Sequence, residues 1–396
     1  VARLAGHPLT LLGYPAEFRT NAQFLDRDLA TWDRIYLPPA LAGLMDEEPV
    51  ETREFVEDDN RSAVAPIPVA QIDGQDFFLS VKGVGSAYDP YSWRALDRAY
   101  AAELSDDPDV RRRLQATRPE ATDRILTGEL WLRGSPYGGQ GLEHALTALR
   151  VSEEAHGTDL AGFRIAPVVK VGLLPIALEE RLRSIHWYRK FPGRMAQELR
   201  LVPSTVRVYF HGRNTLGTNV RHVFDQFGVS TDARALAFEE NFLRSAVAML
   251  TLYARTLRYD EVRGRYRGLD YHDVWLDKDA VLAEDGTAYF VDLEGIEPVW
   301  RDRAEVKEAI EDQIYRTLYE MMFAYAQIES ERERRYGPGG ARKLRFEAVL
   351  RRAIANDPFV RPVDDGPHFT VEVRNGASEQ GFYTRFRLAD ASNVDV

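Results

Sequence analysis

The residues best placed to do chemistry crowd into Tyr271–Gly295, YHDVWLDKDAVLAEDGTAYFVDLEG. Asp273, Asp277 and Asp279 lie in a polar run, and Asp292 closes an apolar one. Between them, the short apolar runs Ala280–Leu282 and Ala288–Val291 flank Asp285-Gly286. An Asp-Gly pair in that setting predicts a β-hairpin, because glycine accepts the positive φ that such turns need. The hairpin would bring Asp279, at the start of one strand, close to Asp292, at the end of the other. Two converging carboxylates repel unless a cation sits between them. Mg²⁺ carrying nucleotide phosphates suits the place, since it takes one or two carboxylates together with phosphate oxygens. The alternative is a surface hairpin with solvated acids.

The chain that must position these residues has 396 residues, 44% of them hydrophobic and 11% aromatic, enough for two or more packed lobes. No apolar run approaches a membrane span and the N-terminus carries no signal pattern, so a soluble, cytoplasmic protein is expected. Zero cysteines exclude disulfides, thiol nucleophiles and cysteine-ligated metals. The eight histidines are scattered, with no pair at metal-ligand spacing, which argues against a zinc enzyme. A formal charge of −11 argues against general nucleic-acid binding. Only six basic residues are lysine, so Lys82, inside the apolar run Phe77–Lys82, draws notice.

Taken in order, residues 1–70 read as an irregular N-terminal extension with one short helix near Phe24–Arg34. The turn signal Asp73-Gly74 precedes a strand ending at Lys82, and a charged helix is expected over 92–116. A second strand, Glu129–Arg133, runs into a glycine-rich loop containing Gly138, Gly139 and Gly141, which opens a helix over Leu142–Ala155. Backbone N–H groups at such a loop and helix start suit phosphate; the alternative is an ordinary turn. A buried strand over Phe163–Gly172 leads to a possible hinge at Leu173–Pro175, with helical segments around 177–188 beyond it. Val202–Arg207 leads into Val208–His211, and long helices are expected over Thr231–Arg258, Arg303–Ser330 and Ala341–Ile354, with a final strand at Phe369–Val373. This order predicts an α+β, two-lobed protein kinase-like fold: an N-lobe over 71–172, rich in sheet, and a mostly helical C-lobe over 173–396 that carries the acidic hairpin.

Four patches resemble the selenoprotein O family, kinase-like proteins that transfer AMP to protein hydroxyls. Phe78–Gly85 with Tyr91-Ser92 resembles the family's L-x-L-K-G-A-G strand and P-Y-S. Tyr137–Gly141, with a helix ending Val151-Ser-Glu-Glu-Ala155, resembles its glycine loop and S-E-A helix. Val202–Arg207 resembles A-P-S-x-[IV]-R. His272–Asp279 and Val291–Gly295 resemble H-G-V-M-N-T-D-N and I-D-Y-G.

The resemblance implies that Lys82, the loop around Gly138, Gly139 and Gly141, and Arg207 hold the phosphates of ATP. It also implies that Asp279 and Asp292 hold Mg²⁺. The sequence departs from the family at Lys278, where an acid is expected, and at Ala148, which falls opposite the family's helix glutamate. Glu143, Glu153 or Glu154 is then left to partner Lys82, or the partner is missing. Asp277 or Asp273 would orient the acceptor hydroxyl of a protein, peptide or small molecule. The expected activity is transfer of AMP or phosphate. Two alternatives stay open: a pseudokinase that binds nucleotide or a partner without turnover, and a small-molecule phosphotransferase resembling the aminoglycoside kinases, whose Asn-V-L…I-D-W-E pattern also fits Asp279–Leu282 and Val291–Glu294.

Overall fold

A computed structural model describes residues 6–11, 14–20, 36–37, 50–51, 56–59, 62–72, 75–83, 140–156, 164–184, 193–206, 223–271, 276, 279–337, 342–365, 368–375 and 382–387. These form α+β structure in two units. Unit 1 spans Val1–Glu153 and Pro167–Val202; unit 2 spans Glu154–Ala166 and Pro203–Val396. The division thus falls at 202/203 and gives 154–166 to the later part of the chain, whereas the sequence suggested a break at 172/173.

Unit 1 holds β1 (Gly6–Leu11), β2 (Tyr14–Thr20), β3 (Tyr36–Leu37), β4 (Val50–Glu51), β5 (Val56–Asp59), β6 (Ser62–Ile72), β7 (Gln75–Lys82) and β8 (Gln140–Gly141). Helix α1 (Leu142–His156) runs across the division, and β9 (Val168–Leu173), α2 (Ile176–Ser184) and β10 (Met195–Val202) complete the unit. Its sheet has the order β1-β2-β9-β10-β7-β6-β5, with β8 on β10, and every pairing is antiparallel. Ile72 pairs with Gln75, so only Asp73-Gly74 joins β6 to β7, as the turn signal required. The central strands β9 and β10 are buried along nearly their whole length, which forces their polar residues to find partners inside.

The expected irregularity of residues 1–70 is corrected here: β1, β2 and β6 are strands of this sheet. Pro66 and Pro68 disguised β6. Its pairing with β7 shifts register between Val64 and Pro68 and again between Pro68 and Ala70, irregularities where a residue without an N–H is tolerated. The expected helix at Phe24–Arg34, the helix over 92–116, the strand Glu129–Arg133 and the segment Val208–His211 lie outside the described residues.

Unit 2 is built on α3 (Val223–Gln226), α4 (Asp232–Leu250), α5 (Leu252–Thr256), α6 (Arg303–Tyr336) and α7 (Arg342–Ile354). Thr231 caps α4 by accepting from the Arg234 N–H, and Ala235, Phe238, Phe242 and Ala246 recur at helical spacing on its buried side. Helix α4 packs on α6 and α7. The single helix expected over 231–258 is divided at Thr251, and Arg258 already belongs to a strand. Asp302 and Glu305 form a reciprocal capping box at the start of α6, which runs past its expected end at Ser330 to Tyr336. Three small antiparallel sheets accompany the helices. β11 (Arg258–Asp260), β12 (Arg265–Tyr271) and β15 (Ile296–Arg301) form one, β13 (Ala280–Leu282) and β14 (Ala288–Phe290) the second, and β16 (Val360–Asp365), β17 (His368–Asn375) and β18 (Phe382–Arg387) the third. Among the described residues no helix is long and apolar enough to cross a membrane.

Candidate functional site

The hairpin expected from Asp285-Gly286 is the β13–β14 pair. Ala280 stands opposite Phe290, Val281 opposite Tyr289 and Leu282 opposite Ala288. Gly286 turns the chain at φ +92°, and a Cβ there would lie 2.3 Å from the Phe238 carbonyl oxygen, so only glycine fits. Helix α4 grips the turn: Asn241 Nδ2 donates to the Asp285 carbonyl at 2.9 Å, and the Ala288 N–H donates to Ser245 Oγ at 3.1 Å.

The ladder continues one step beyond the strands, where the Val291 N–H donates to the Asp279 carbonyl at 2.9 Å. Asp279 is thus buried at the base of the hairpin, opposite Val291, and Asp292 follows directly. Asp292 is half-buried, and at its ψ of 62° the chain leaves the strand for a one-turn 3₁₀ helix, Leu293–Gly295. Both flanks of the hairpin are covered. On one side the Leu282 N–H donates to the Val206 carbonyl and Ser204 Oγ donates to the Leu282 carbonyl. On the other, Ile165 bridges Phe290 in parallel, with the Ala166 N–H on the Phe290 carbonyl and the Phe290 N–H on the Arg164 carbonyl, at 2.9 and 3.0 Å.

The segment 272–278 is tied at both ends to this frame. Tyr271, the last residue of β12, pairs with Ile296, the first of β15, and Asp279 is bonded to Val291. Asp273 and Asp277 themselves lie outside the described residues, as do Gly138, Gly139 and Arg207. Among the described residues no group of three or more histidines, aspartates or glutamates could hold a metal. Asp279 and Asp292 supply carboxylates, the ligand type that Mg²⁺ takes one or two of when phosphate oxygens complete its shell.

In unit 1, Lys82 ends β7 and is 1% exposed. Directly opposite it in the ladder, on the same face of the sheet, stands Glu198 of β10, with Ser62 of β6 on its other side. Gln140 Nε2 donates to Glu198 Oε2 at 3.2 Å, and Arg200 lies 3.6 Å from Glu198 Oε1. Arg200 also donates to Ser80 and Ser62 Oγ, each at 3.2 Å. The lysine therefore belongs to a buried polar row with an acid on the neighbouring strand, which the sequence reading missed. The criterion that flagged Lys82, a charge inside an apolar strand, would have flagged Glu198 and Arg200 in MAQELRLV.

Of the expected partners, Glu143 is exposed in the first turn of α1 and Glu153 is half-buried. Glu154 is 3.2 Å from Arg267. Ala148 is fully buried in the helix. Gly141 pairs with Met195 at the end of β10. No protein-family model matches this chain, and no curated protein matches it in sequence.

Proposed function

We propose that the protein is an ATP- and Mg²⁺-dependent transferase of kinase-like fold, moving AMP or phosphate to a hydroxyl of a protein, peptide or small molecule. The observation that carries this reading is the position of Lys82. It ends the third of three successive antiparallel strands, β5, β6 and β7, and helix α1 comes next among the named elements that follow the short β8. In protein kinases the phosphate-holding lysine occupies a third strand and the helix after it carries the lysine's glutamate. The hairpin framed by Asp279 and Asp292 supports the same reading from unit 2, because kinase-like enzymes hold their metal with residues on a catalytic loop and on a later short motif.

In this reading Lys82, the loop of Gly138, Gly139 and Gly141, and Arg207 bind phosphates, with Glu153 nearby on α1. Asp279 and Asp292 bind Mg²⁺, which would neutralise charge between phosphate oxygens. Asp277 or Asp273 orients the acceptor hydroxyl. Phosphate transfer would release ADP and AMP transfer would release pyrophosphate, so the mass gained by the acceptor separates the two.

The test is thermal melting with ATP, with and without Mg²⁺, on the wild type and on Asp292→Ala. A ligand that binds only the folded state raises the melting temperature by mass action. The expected result is a Mg²⁺-dependent rise that Asp292→Ala abolishes; no rise at millimolar ATP would sink the nucleotide assignment. A second reading, a pseudokinase that binds without turnover, is favoured by the buried Ala148 and by Lys278 beside the proposed metal ligands. It predicts the same melting shift with no mass gained by any acceptor.

A further inference from the structure

The contacts that frame Asp292 lead back to one uncharged side chain in α6. Gln313 is buried, and its carboxamide works in both senses. Its Oε1 accepts the Tyr253 N–H at the start of α5 at 3.0 Å, and its Nε2 donates to Asp270 Oδ1 at 3.2 Å. Its main-chain carbonyl accepts from the Tyr271 hydroxyl at 3.3 Å. Asp270 Oδ1 also accepts the Tyr271 N–H at 2.8 Å, and Oδ2 accepts Arg301 Nη2 at 2.6 Å.

Asp270 and Tyr271 are the last two residues of β12. They pair with Glu297 and Ile296, the first two of β15. The Ile296 N–H in turn donates to the Leu293 carbonyl, closing the 3₁₀ turn that begins after Asp292. A series of contacts therefore runs from Gln313 through the end of β12 and the start of β15 to Leu293, the next residue after Asp292, and the Gly295 N–H donates to the Asp292 carbonyl at 3.2 Å within the same turn.

We infer that Gln313 is a positioning residue for Asp292, holding the β12–β15 junction at the place from which Asp292 is presented. The inference rests on the proposed reading of Asp292 as a metal ligand. The position calls for a neutral group that accepts from Tyr253 and donates to Asp270 at once, and a carboxamide does this at every pH. Glutamate keeps the acceptor but sets a second carboxylate against Asp270 until one of the two is protonated. Leucine loses both bonds. Among the described residues, the charged and titratable groups facing the position are Asp270 and Tyr271 from β12, Arg301 from β15, Tyr253 from α5 and, acting on Tyr253, Glu305 from α6 itself.

The experiment uses the full chain as wild type, Gln313→Leu and Gln313→Glu. Amide hydrogen exchange is followed over 265–271 and 291–301, with 232–250 as the internal reference, and the Mg²⁺·ATP melting shift is measured in parallel across acidic to neutral pH. Gln313→Leu is expected to exchange at least tenfold faster in the two junction segments with α4 unchanged, and to lose the melting shift. Gln313→Glu is expected to behave like Gln313→Leu at neutral pH and to recover both properties on acidification, which a general loss of packing would not do. Should Gln313→Leu fail to fold, acidified Gln313→Glu supplies the folded reference. Unchanged exchange at the junction, a full melting shift in either variant at neutral pH, or no recovery in acid would each overturn the inference. If the wild type shows no melting shift, the reading of Asp292 falls, and exchange alone then decides whether Gln313 anchors the turn.

Discussion

Single atoms decide stability at several positions. Gly268 in β12 lies against Tyr253, and a Cβ there would meet the ring at 2.7 Å. The Tyr253 carbonyl oxygen would also lie 3.0 Å away, and moving the ring would disturb the Arg301 guanidinium stacked on it at 4.7 Å. Gly268→Ala should therefore cost about 1–3 kcal/mol through overpacking, read as a lower urea midpoint. Glu198→Ala should cost more, about 3–5 kcal/mol, because it strips a carboxylate from beside the buried cations Lys82 and Arg200. Asp232 gives a pH signature. Its hydrogen bonds from Arg332, at 2.6 and 3.2 Å, hold its carboxyl below the usual aspartate range. The folded state thus releases that proton more readily than the unfolded one. The resulting stabilisation is full above about pH 4 and fades as pH falls through the depressed value. Because Asp232 is half-exposed, the effect is small, about 1 kcal/mol or less. Asp232→Asn should flatten the acid limb of a stability–pH curve by that amount and leave its shape near neutrality alone.

Between residues and the whole lie the elements, and the hairpin β13–β14 is the one on which the proposed chemistry depends. Gly286→Ala would place a Cβ against main chain at a positive φ, and should cost at least about 2 kcal/mol. If the hairpin fixes Asp279 and Asp292, the same variant should also shrink the Mg²⁺·ATP melting shift, as titration of ATP would record. This hairpin was legible in the sequence because its signal is local: two apolar runs and the one dipeptide that suits the turn. Helices α4, α6 and α7 were legible for the same reason, from apolar spacing over several turns. Strand β6 was not, because its prolines argue against a strand unless the irregular register that accommodates them is already known. The acid opposite Lys82 was not legible either. Glu198 lies far along the chain, and nothing in the alternation of β7 says that β10, rather than β9, will be its neighbour. The acceptor-orienting role of Asp273 or Asp277 was read from the sequence, whereas Asp279 and Asp292, read as metal ligands, have a described backbone frame.

At the scale of the whole molecule, neither unit is a continuous stretch of chain. Residues 154–166 belong with unit 2, and their extended end, Arg164–Ala166, covers one side of β14 through Phe290. A fragment of residues 203–396 should therefore melt lower and less cooperatively than its boundaries suggest, because the outer edge of β14 is left unpaired. Adding a peptide of residues 154–166 should restore part of the loss, and a fragment as stable without the peptide as with it would contradict this account.

The same bridge sets a timetable for synthesis. Arg164–Ala166 leave the ribosome about 120 residues before Phe290, the strand residue they bond. At about 5–20 residues per second, that interval lasts roughly 6–25 s. Once Val202 has also emerged, β10, which lies with β9 on the far side of the segment, can pair with β7 before it, while the segment itself waits for its partner. A nascent chain stalled between Val202 and Phe290 should be cut by protease at Arg164–Ala166 more readily than in the paired strands β7, β9 and β10.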